Sequence, residues 1–214
     1  MARRPRPARR PLVLFAPGAG APSSSPWMTA WAARLGALGE VVRFDYPYME
    51  RAKRARPGER ARRAPDRLPV LLEAHRQALA AARAAAGRTP VVLAGKSMGA
   101  RVACHLAGDA PVAAVVCLGY PLRGASGALR DGPLLALRTP VLFVQGTRDA
   151  LCPLPALEEV RRRMTAPSTL HVVPGGDHSL RVGVRALVAA GEDQEAVDAR
   201  AADAVRSFLL PLLR

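Results

Sequence analysis

The residues best suited to chemistry are a serine, an aspartate and a histidine, each at the end of an apolar segment. The serine is the centre of Gly95-Lys96-Ser97-Met98-Gly99, which has the form G-x-S-x-G. Between a strand and a helix, this pattern is typical of a nucleophile elbow, a tight turn that presents a serine hydroxyl. Only residues without bulk fit two positions before and after such a serine, and glycine stands at both. The pentapeptide alone also fits an ordinary strand-to-helix loop with a capping serine.

Asp149 and His178 supply the other groups that acyl transfer needs. A serine hydroxyl is a poor nucleophile unless a base takes its proton as it attacks. An imidazole titrates near neutral pH, so His178 could take that proton and later give it to the leaving group. Asp149 would hold the imidazole in the correct tautomer and stabilise the imidazolium. Each of the two also fits a turn or cap residue when taken alone.

A reaction of this kind also needs two backbone N–H groups to bind the negatively charged oxygen. We predict that one belongs to Met98, which follows the serine at the start of a helix. We predict that the other belongs to Ala19, in the glycine-rich loop Gly18-Ala19-Gly20 after the first apolar segment.

The other acids and histidines fit structural roles better. Asp177 adjoins His178 in sequence, so its side chain is expected to point elsewhere. Asp45 stands at the end of a predicted edge strand and is a weaker competitor. The remaining histidines are predicted on helices or inside a strand, and they are His75, His105 and His171.

Short apolar segments alternate with helical patterns, and these elements must position the reactive residues. Strands are predicted at 11–16, 41–45, 91–94, 112–118, 141–145 and 169–173, and the main helices at about 26–38, 70–86, 155–164 and 193–212 and directly after the serine turn. The alternation predicts an α/β fold of about six mostly parallel strands with helices on both faces. We predict the second strand at one edge and the first beside the strand that precedes Ser97. Right-handed crossovers then bring Ser97, Asp149 and His178 to the same edge of the sheet.

Length and composition predict one globular domain. Half of the 214 residues are hydrophobic, which is enough for a sizeable core. We predict a disordered basic N-terminus at 1–10 and the domain at 11–214. The formal net charge is +15, and almost all of the positive charge is arginine because Lys53 and Lys96 are the only lysines. We interpret the arginine as compositional bias on solvated faces. Nucleic-acid binding is not expected, since no recognition motif accompanies the charge.

The segment 46–69 is predicted to be exposed, mobile and basic, and it would favour acidic substrates if it lay near the site. The three cysteines, Cys104, Cys117 and Cys152, form no C-x-x-C pair, and Cys104 and Cys117 are predicted to be small buried hydrophobes. The cysteine pattern favours a reducing cytoplasm. No apolar run is long enough to span a membrane. The histidines are scattered, so neither a metal site nor a cofactor is expected.

Six segments carry a resemblance to a known family, and they are 17–21, 44–49, 65–68, 95–101, 142–149 and 175–179. On these the chain resembles the α/β-hydrolase superfamily, closest to a dienelactone-hydrolase-like branch of small hydrolases. That branch includes testis-expressed protein thirty and subunit three of the NSL chromatin complex. The resemblance implies Ser97, Asp149 and His178 as a catalytic triad, with Ala19 and Met98 as oxyanion donors. Pro17 stands where many relatives have a histidine.

These observations predict a serine hydrolase acting on small-molecule esters or related acyl compounds. The segment 119–139 is too short and irregular for a large lid, so the site should be open and shallow. One alternative is a non-catalytic binding or scaffold protein on the same fold. Another is a dinucleotide-binding domain, suggested by Gly18-x-Gly20 after the first strand and Asp45 after the second. Its third glycine position is Ser23, and it leaves the serine motif unexplained.

Overall fold

The computed structural model describes residues 10–54, 64–124 and 127–213. The elements in chain order are β1 (Leu12–Ala16), α1 (Pro26–Gly36), β2 (Glu40–Arg43), α2 (Pro47–Arg54), α3 (Leu68–Ala86), β3 (Val91–Lys96), α4 (Met98–Asp109), β4 (Ala114–Leu118), α5 (Gly132–Ala136), β5 (Val141–Gly146), α6 (Leu154–Arg163), β6 (Ser168–Val173), α7 (Val184–Ala190) and α8 (Gln194–Leu209), followed by a 3₁₀ turn at Leu210–Leu213. The predicted disordered N-terminus at 1–10 lies outside the described residues except for its last position.

The six strands form one parallel sheet in the order β2-β1-β3-β4-β5-β6. This confirms the predicted fold class, with β2 at an edge and β1 beside the strand that precedes Ser97. The inner strands are continuous apolar runs because helices cover both of their faces. The edge strands β2 and β6 are partly exposed, which explains their more polar sequences.

Side-chain alternation along the strands builds two separate cores. Leu12 and Leu14 of β1 point to a core that also contains apolar residues of α3, α4, α5 and α6. Val13 and Phe15 of the same strand point to the opposite core, which α1 and α8 cover. Because successive strand residues face opposite sides, an apolar run with no polar alternation produces this two-faced packing.

The segment that follows β2 differs from its prediction. Residues 47–54 form α2 rather than an exposed loop, and Tyr46, Tyr48 and Met49 are buried. These side chains pack with residues of β1, α3 and α4, including Leu71 and Val102. The prediction gave more weight to the many arginines than to the three apolar side chains. Those three side chains are enough to pack one short helix against the domain. The rest of the basic stretch, 55–63, lies outside the described residues.

The described residues between β4 and β5 hold only α5, a five-residue helix, and no lid domain. Helices α5 and α7 were not predicted, since they are too short to show helical periodicity. In the part of the chain that the structure describes, no helix combines the length and the apolar character needed to cross a membrane.

Candidate active site

The first part of the site is the turn between β3 and α4. Ser97 has φ 50° and ψ −114°, a conformation that side-chain-bearing residues rarely adopt. The turn is closed by backbone packing. A Cβ on Gly95 would lie 2.3 Å from the Ala100 nitrogen, and a Cβ on Gly99 would lie 2.5 Å from the Ala16 carbonyl oxygen. Any side chain at either glycine would therefore collide with backbone, which is why the motif needs glycine at both positions.

The second part is a hydrogen-bonded chain of three side chains. Ser97 Oγ lies 2.7 Å from His178 Nε2, and His178 Nδ1 lies 2.7 Å from Asp149 Oδ2. The residues come from the ends of β3, β5 and β6, as the strand order requires. The structure thus brings together the serine, aspartate and histidine predicted from the sequence. If His178 Nδ1 carries the proton donated to Asp149, then Nε2 is free to accept the serine proton.

Asp149 is held on both carboxylate oxygens. It is buried, its Oδ1 accepts the Leu151 N–H at 2.8 Å, and its Oδ2 also accepts a hydrogen bond from Gln145 Nε2. The other end of the Gln145 amide accepts the Tyr120 N–H at 3.0 Å. Gln145 was not predicted as part of the site, although a polar residue near the end of a fully buried strand is a signal of such a role.

The loop that carries His178 is fixed from two sides. Trp27 Nε1 of α1 donates to the Ser179 carbonyl at 2.9 Å. Asp177 Oδ1 accepts the N–H groups of Ser179 at 2.7 Å and Arg181 at 2.9 Å. The competing acid Asp177 therefore closes its own turn, and the imidazole Nδ1 is bonded to Asp149 instead.

Both predicted oxyanion residues lie in the region of the serine. Met98 is the first residue of α4, and the first N–H groups of a helix have no acceptor within the helix. Ala19 lines the same cavity as Ser97 and His178. The Tyr48 hydroxyl donates to the Ala19 carbonyl oxygen at 2.9 Å, which ties the glycine-rich loop to α2. That these two N–H groups bind an oxyanion remains a prediction.

A cavity of about 340 Å³ opens directly over the serine and is lined by the loop 18–21 and by Ser25, Trp27, Met28, Lys96, Ser97, His178, Ser179 and Arg181. A second cavity of about 320 Å³ lies on the other side of Ala19 and is lined in part by Tyr48, Met49, Ala52 and Lys53. The described part of the basic segment thus borders the second cavity and not the first. Two of its cations are also paired, since Arg51 contacts Asp66 and Lys53 contacts Asp45.

The remaining candidate residues have structural surroundings. His75 is buried with its Nδ1 3.2 Å from the Tyr46 hydroxyl, and burial lowers its pKa to about 3. Burial raises the pKa of Asp45, but hydrogen bonds from Lys53 and Ser23 outweigh it and leave that pKa lowered. The predicted helical His105 and strand residue His171 are half-buried.

The three cysteines are free and buried, which confirms the prediction made for Cys104 and Cys117. Cys104 Sγ lies 3.6 Å from Cys117 Sγ. Burial raises the pKa of the Cys152 thiol to about 12, so this thiol stays protonated at neutral pH. Within the described ranges, no group of three or more histidine, cysteine, aspartate or glutamate side chains could hold a metal ion.

A model of the alpha/beta hydrolase domain family matches residues 9–210. Among solved structures, a dienelactone hydrolase from Anabaena variabilis is 21% identical, covers 96% of this chain and 88% of its own, and has a TM-score of 0.65. An alpha-beta serine hydrolase homologue from Coxiella burnetii is 21% identical over 81% of this chain and 79% of its own, with a TM-score of 0.63. A serine hydrolase without a lid from Xanthomonas campestris is 20% identical over 83% and 77%, with a TM-score of 0.61.

Proposed function

This chain belongs to the alpha/beta hydrolase domain family, and from that premise we propose that it is a serine hydrolase that cleaves small-molecule esters or related acyl compounds. One observation carries the proposal, the unbroken path of hydrogen bonds from Asp149 through His178 to Ser97. A polar chain of this kind, open to a cavity at its serine end, is what nucleophilic acyl transfer requires.

In the proposed acylation step, Ser97 Oγ attacks the ester carbonyl carbon and His178 Nε2 takes the hydroxyl proton. The carbonyl oxygen becomes negative and accepts hydrogen bonds from the N–H groups of Ala19 and Met98. One such donor is typically worth about 10²–10³ in rate. The imidazolium then gives its proton to the departing alkoxide, so the alcohol leaves and an ester to Ser97 remains.

In the proposed deacylation step, water attacks that ester as His178 takes a proton from it. The second tetrahedral intermediate uses the same two N–H groups. It collapses with return of the proton to Ser97 Oγ, which releases the acid and restores the enzyme. Asp149 keeps its negative charge throughout and stabilises the imidazolium formed in each step.

We infer the branch of the family and the location in the cell from features that support them less directly. The segments 17–21, 44–49 and 95–101 support membership of the dienelactone-hydrolase-like branch that includes testis-expressed protein thirty and subunit three of the NSL complex. Three free, buried cysteines support a reducing cytoplasmic location. We also propose that the hydrolase domain begins near residue 11. The proposed reaction uses neither a cofactor nor a metal ion.

The test is turnover of p-nitrophenyl acetate by the protein and by Ser97→Ala. Ser207→Ala is the matched control, because Ser207 is an exposed residue of α8. We expect Ser97→Ala to lose at least about 10³-fold in rate, and Ser207→Ala to keep the full rate. A fluorophosphonate probe should label the protein and Ser207→Ala but not Ser97→Ala. Equal hydrolysis by all three proteins would contradict the proposal, and folded protein without labelling would favour a binding role.

A further inference from the structure

Lys96, the residue before the serine, places a cation in the wall of the active-site cavity. Its side chain is half-buried in that wall. It donates a hydrogen bond to the His178 carbonyl oxygen and lies 5.3 Å from the centre of the Trp27 ring. The carbonyl and the ring partly compensate the charge, but neither carries a negative charge.

No carboxylate of the described residues lies within ion-pair distance of the Lys96 ammonium. Within the described ranges, the lysine that forms ion pairs is Lys53, which contacts Asp45 and Glu50. The described residues that line the cavity include a second cation, Arg181, and no aspartate or glutamate. The cavity is therefore a concave surface with two positive side chains and no negative one.

Burying an ammonium group without a carboxylate in direct contact is unfavourable. Burial lowers the pKa of Lys96 to about 8, against the opposing influence of Asp149 and Asp177. At neutral pH the group is still mostly charged. A neutral side chain would fill the same space without this cost, which points to a ligand that uses the charge.

We propose that Lys96 determines substrate specificity by binding a carboxylate on the substrate, so that the preferred substrates are esters or related acyl compounds that carry a carboxylate near the bond to be cleaved. The inference rests on the proposed hydrolase function. Because Lys96 adjoins Ser97 in the chain and both line one cavity, a short dicarboxylic half-ester can reach both residues. Arg181, which lines the same cavity, adds a second positive charge.

A purely structural role would leave a different signature. In that alternative, the only role of Lys96 is to hold the histidine loop through its hydrogen bond to the His178 carbonyl oxygen. Loss of that hydrogen bond would slow every substrate by the same factor and would appear mainly in kcat. Loss of a charge contact would affect anionic substrates alone and would appear mainly in KM.

The experiment compares monomethyl glutarate with methyl valerate, a neutral ester of similar length, by methanol release at pH 7. The variants are Lys96→Met, Lys96→Arg and the control Arg88→Met, which removes one exposed charge before the opposite end of β3. We expect the unmodified protein to prefer the anionic ester by about tenfold or more, as a contact between opposite charges in a partly enclosed site implies. Lys96→Met should lose this preference through a higher KM, and Lys96→Arg and Arg88→Met should retain it.

A second measurement does not depend on turnover. Titration calorimetry with glutarate at pH 7 should give a dissociation constant about tenfold larger for Lys96→Met than for the unmodified protein. Equal dissociation constants, equal use of the two esters, or equal slowing of both esters in Lys96→Met would overturn the inference. Failure of the hydrolase proposal is separate, since it appears as hydrolysis of p-nitrophenyl acetate that does not depend on Ser97.

Discussion

The two sides of the candidate site are built by different means. The serine side is fixed by main-chain packing, with Gly95 against the start of α4 and Gly99 against the end of β1. The acid–base side is fixed by hydrogen bonds, with the carboxylate of Asp149 held by Gln145 and the loop of His178 held by Trp27.

The difference separates two kinds of sensitivity. Packing against backbone tolerates no added atom, but it does not depend on charge or protonation. A hydrogen-bonded network tolerates changes of shape better, but it fails when a donor or a charge is lost. Substitutions on the serine side should therefore act on folding and activity together, and substitutions on the acid–base side should act mainly on activity.

The largest effect is expected for Asp149→Asn. The substitution keeps the size of the side chain but removes the negative charge and the preference for a proton on His178 Nδ1. We expect kcat to fall by about 10³–10⁴-fold while the protein remains folded. Ester hydrolysis and urea unfolding measured on the same preparation test this, and a loss of folding that matches the loss of activity would contradict the comparison.

Gly99→Ala tests the serine side. The new Cβ would lie 2.5 Å from the Ala16 carbonyl oxygen and 2.6 Å from that of Pro17, and backbone cannot move aside as a flexible side chain can. We expect a loss of about 3 kcal/mol in the free energy of unfolding, together with loss of activity.

The matched control is Gly108→Ala in the same helix, where an added Cβ would meet nothing within 4 Å. Since alanine is a better helix former than glycine, this variant should gain up to about 1 kcal/mol and keep its activity. Urea unfolding curves for the two variants would contradict the packing argument if they shifted in the same direction.

Lys96 belongs to the serine turn but contacts the histidine loop. Its removal therefore tests a residue that joins the serine side to the acid–base side. Burial lowers its pKa to about 8, whereas the unfolded chain should have the ordinary lysine value of about 10.4. Between these values the unfolded state binds a proton that the folded state lacks, so the Lys96 contribution makes stability rise with pH. Below about pH 8 both states are protonated and the full cost of burying the charge is present.

Lys96→Met removes this dependence. We expect its stability relative to the unmodified protein to be highest near pH 7 and to decline by roughly 2 kcal/mol on going to pH 10, since one unit of pKa corresponds to ~1.4 kcal/mol. Asp149 and Asp177 act on Lys96 in the direction that raises its pKa, so they reduce the lowering caused by burial and do not reverse its sign. Urea unfolding at pH 7, 8.5 and 10 measures the difference, and a constant difference would contradict the assignment.

The sequence predicted those parts that depend on local pattern. Apolar runs located the strands, and the order of Ser97, Asp149 and His178 at strand ends predicted which residues would meet. The partners of these residues were not predictable, because they depend on which surfaces pack together. The polar Gln145 in an apolar run signals a buried role but does not identify its partner, and the burial of Lys96 depends on how close α1 and the histidine loop approach it.

The smallest expected effect concerns Tyr48, which supports the serine side through a hydrogen bond to the Ala19 carbonyl. Tyr48→Phe removes only the hydroxyl, so the glycine-rich loop keeps its packing but loses a tether worth about 1 kcal/mol. If the Ala19 N–H binds the oxyanion, a looser loop should lower kcat by up to about tenfold, a fraction of the effect of losing such a donor, with KM nearly unchanged. Tyr46→Phe is the control, because that hydroxyl contacts His75 and not the loop. Tyr46→Phe should lose similar stability without loss of kcat. An equal fall of kcat in both variants would contradict oxyanion binding by the Ala19 N–H.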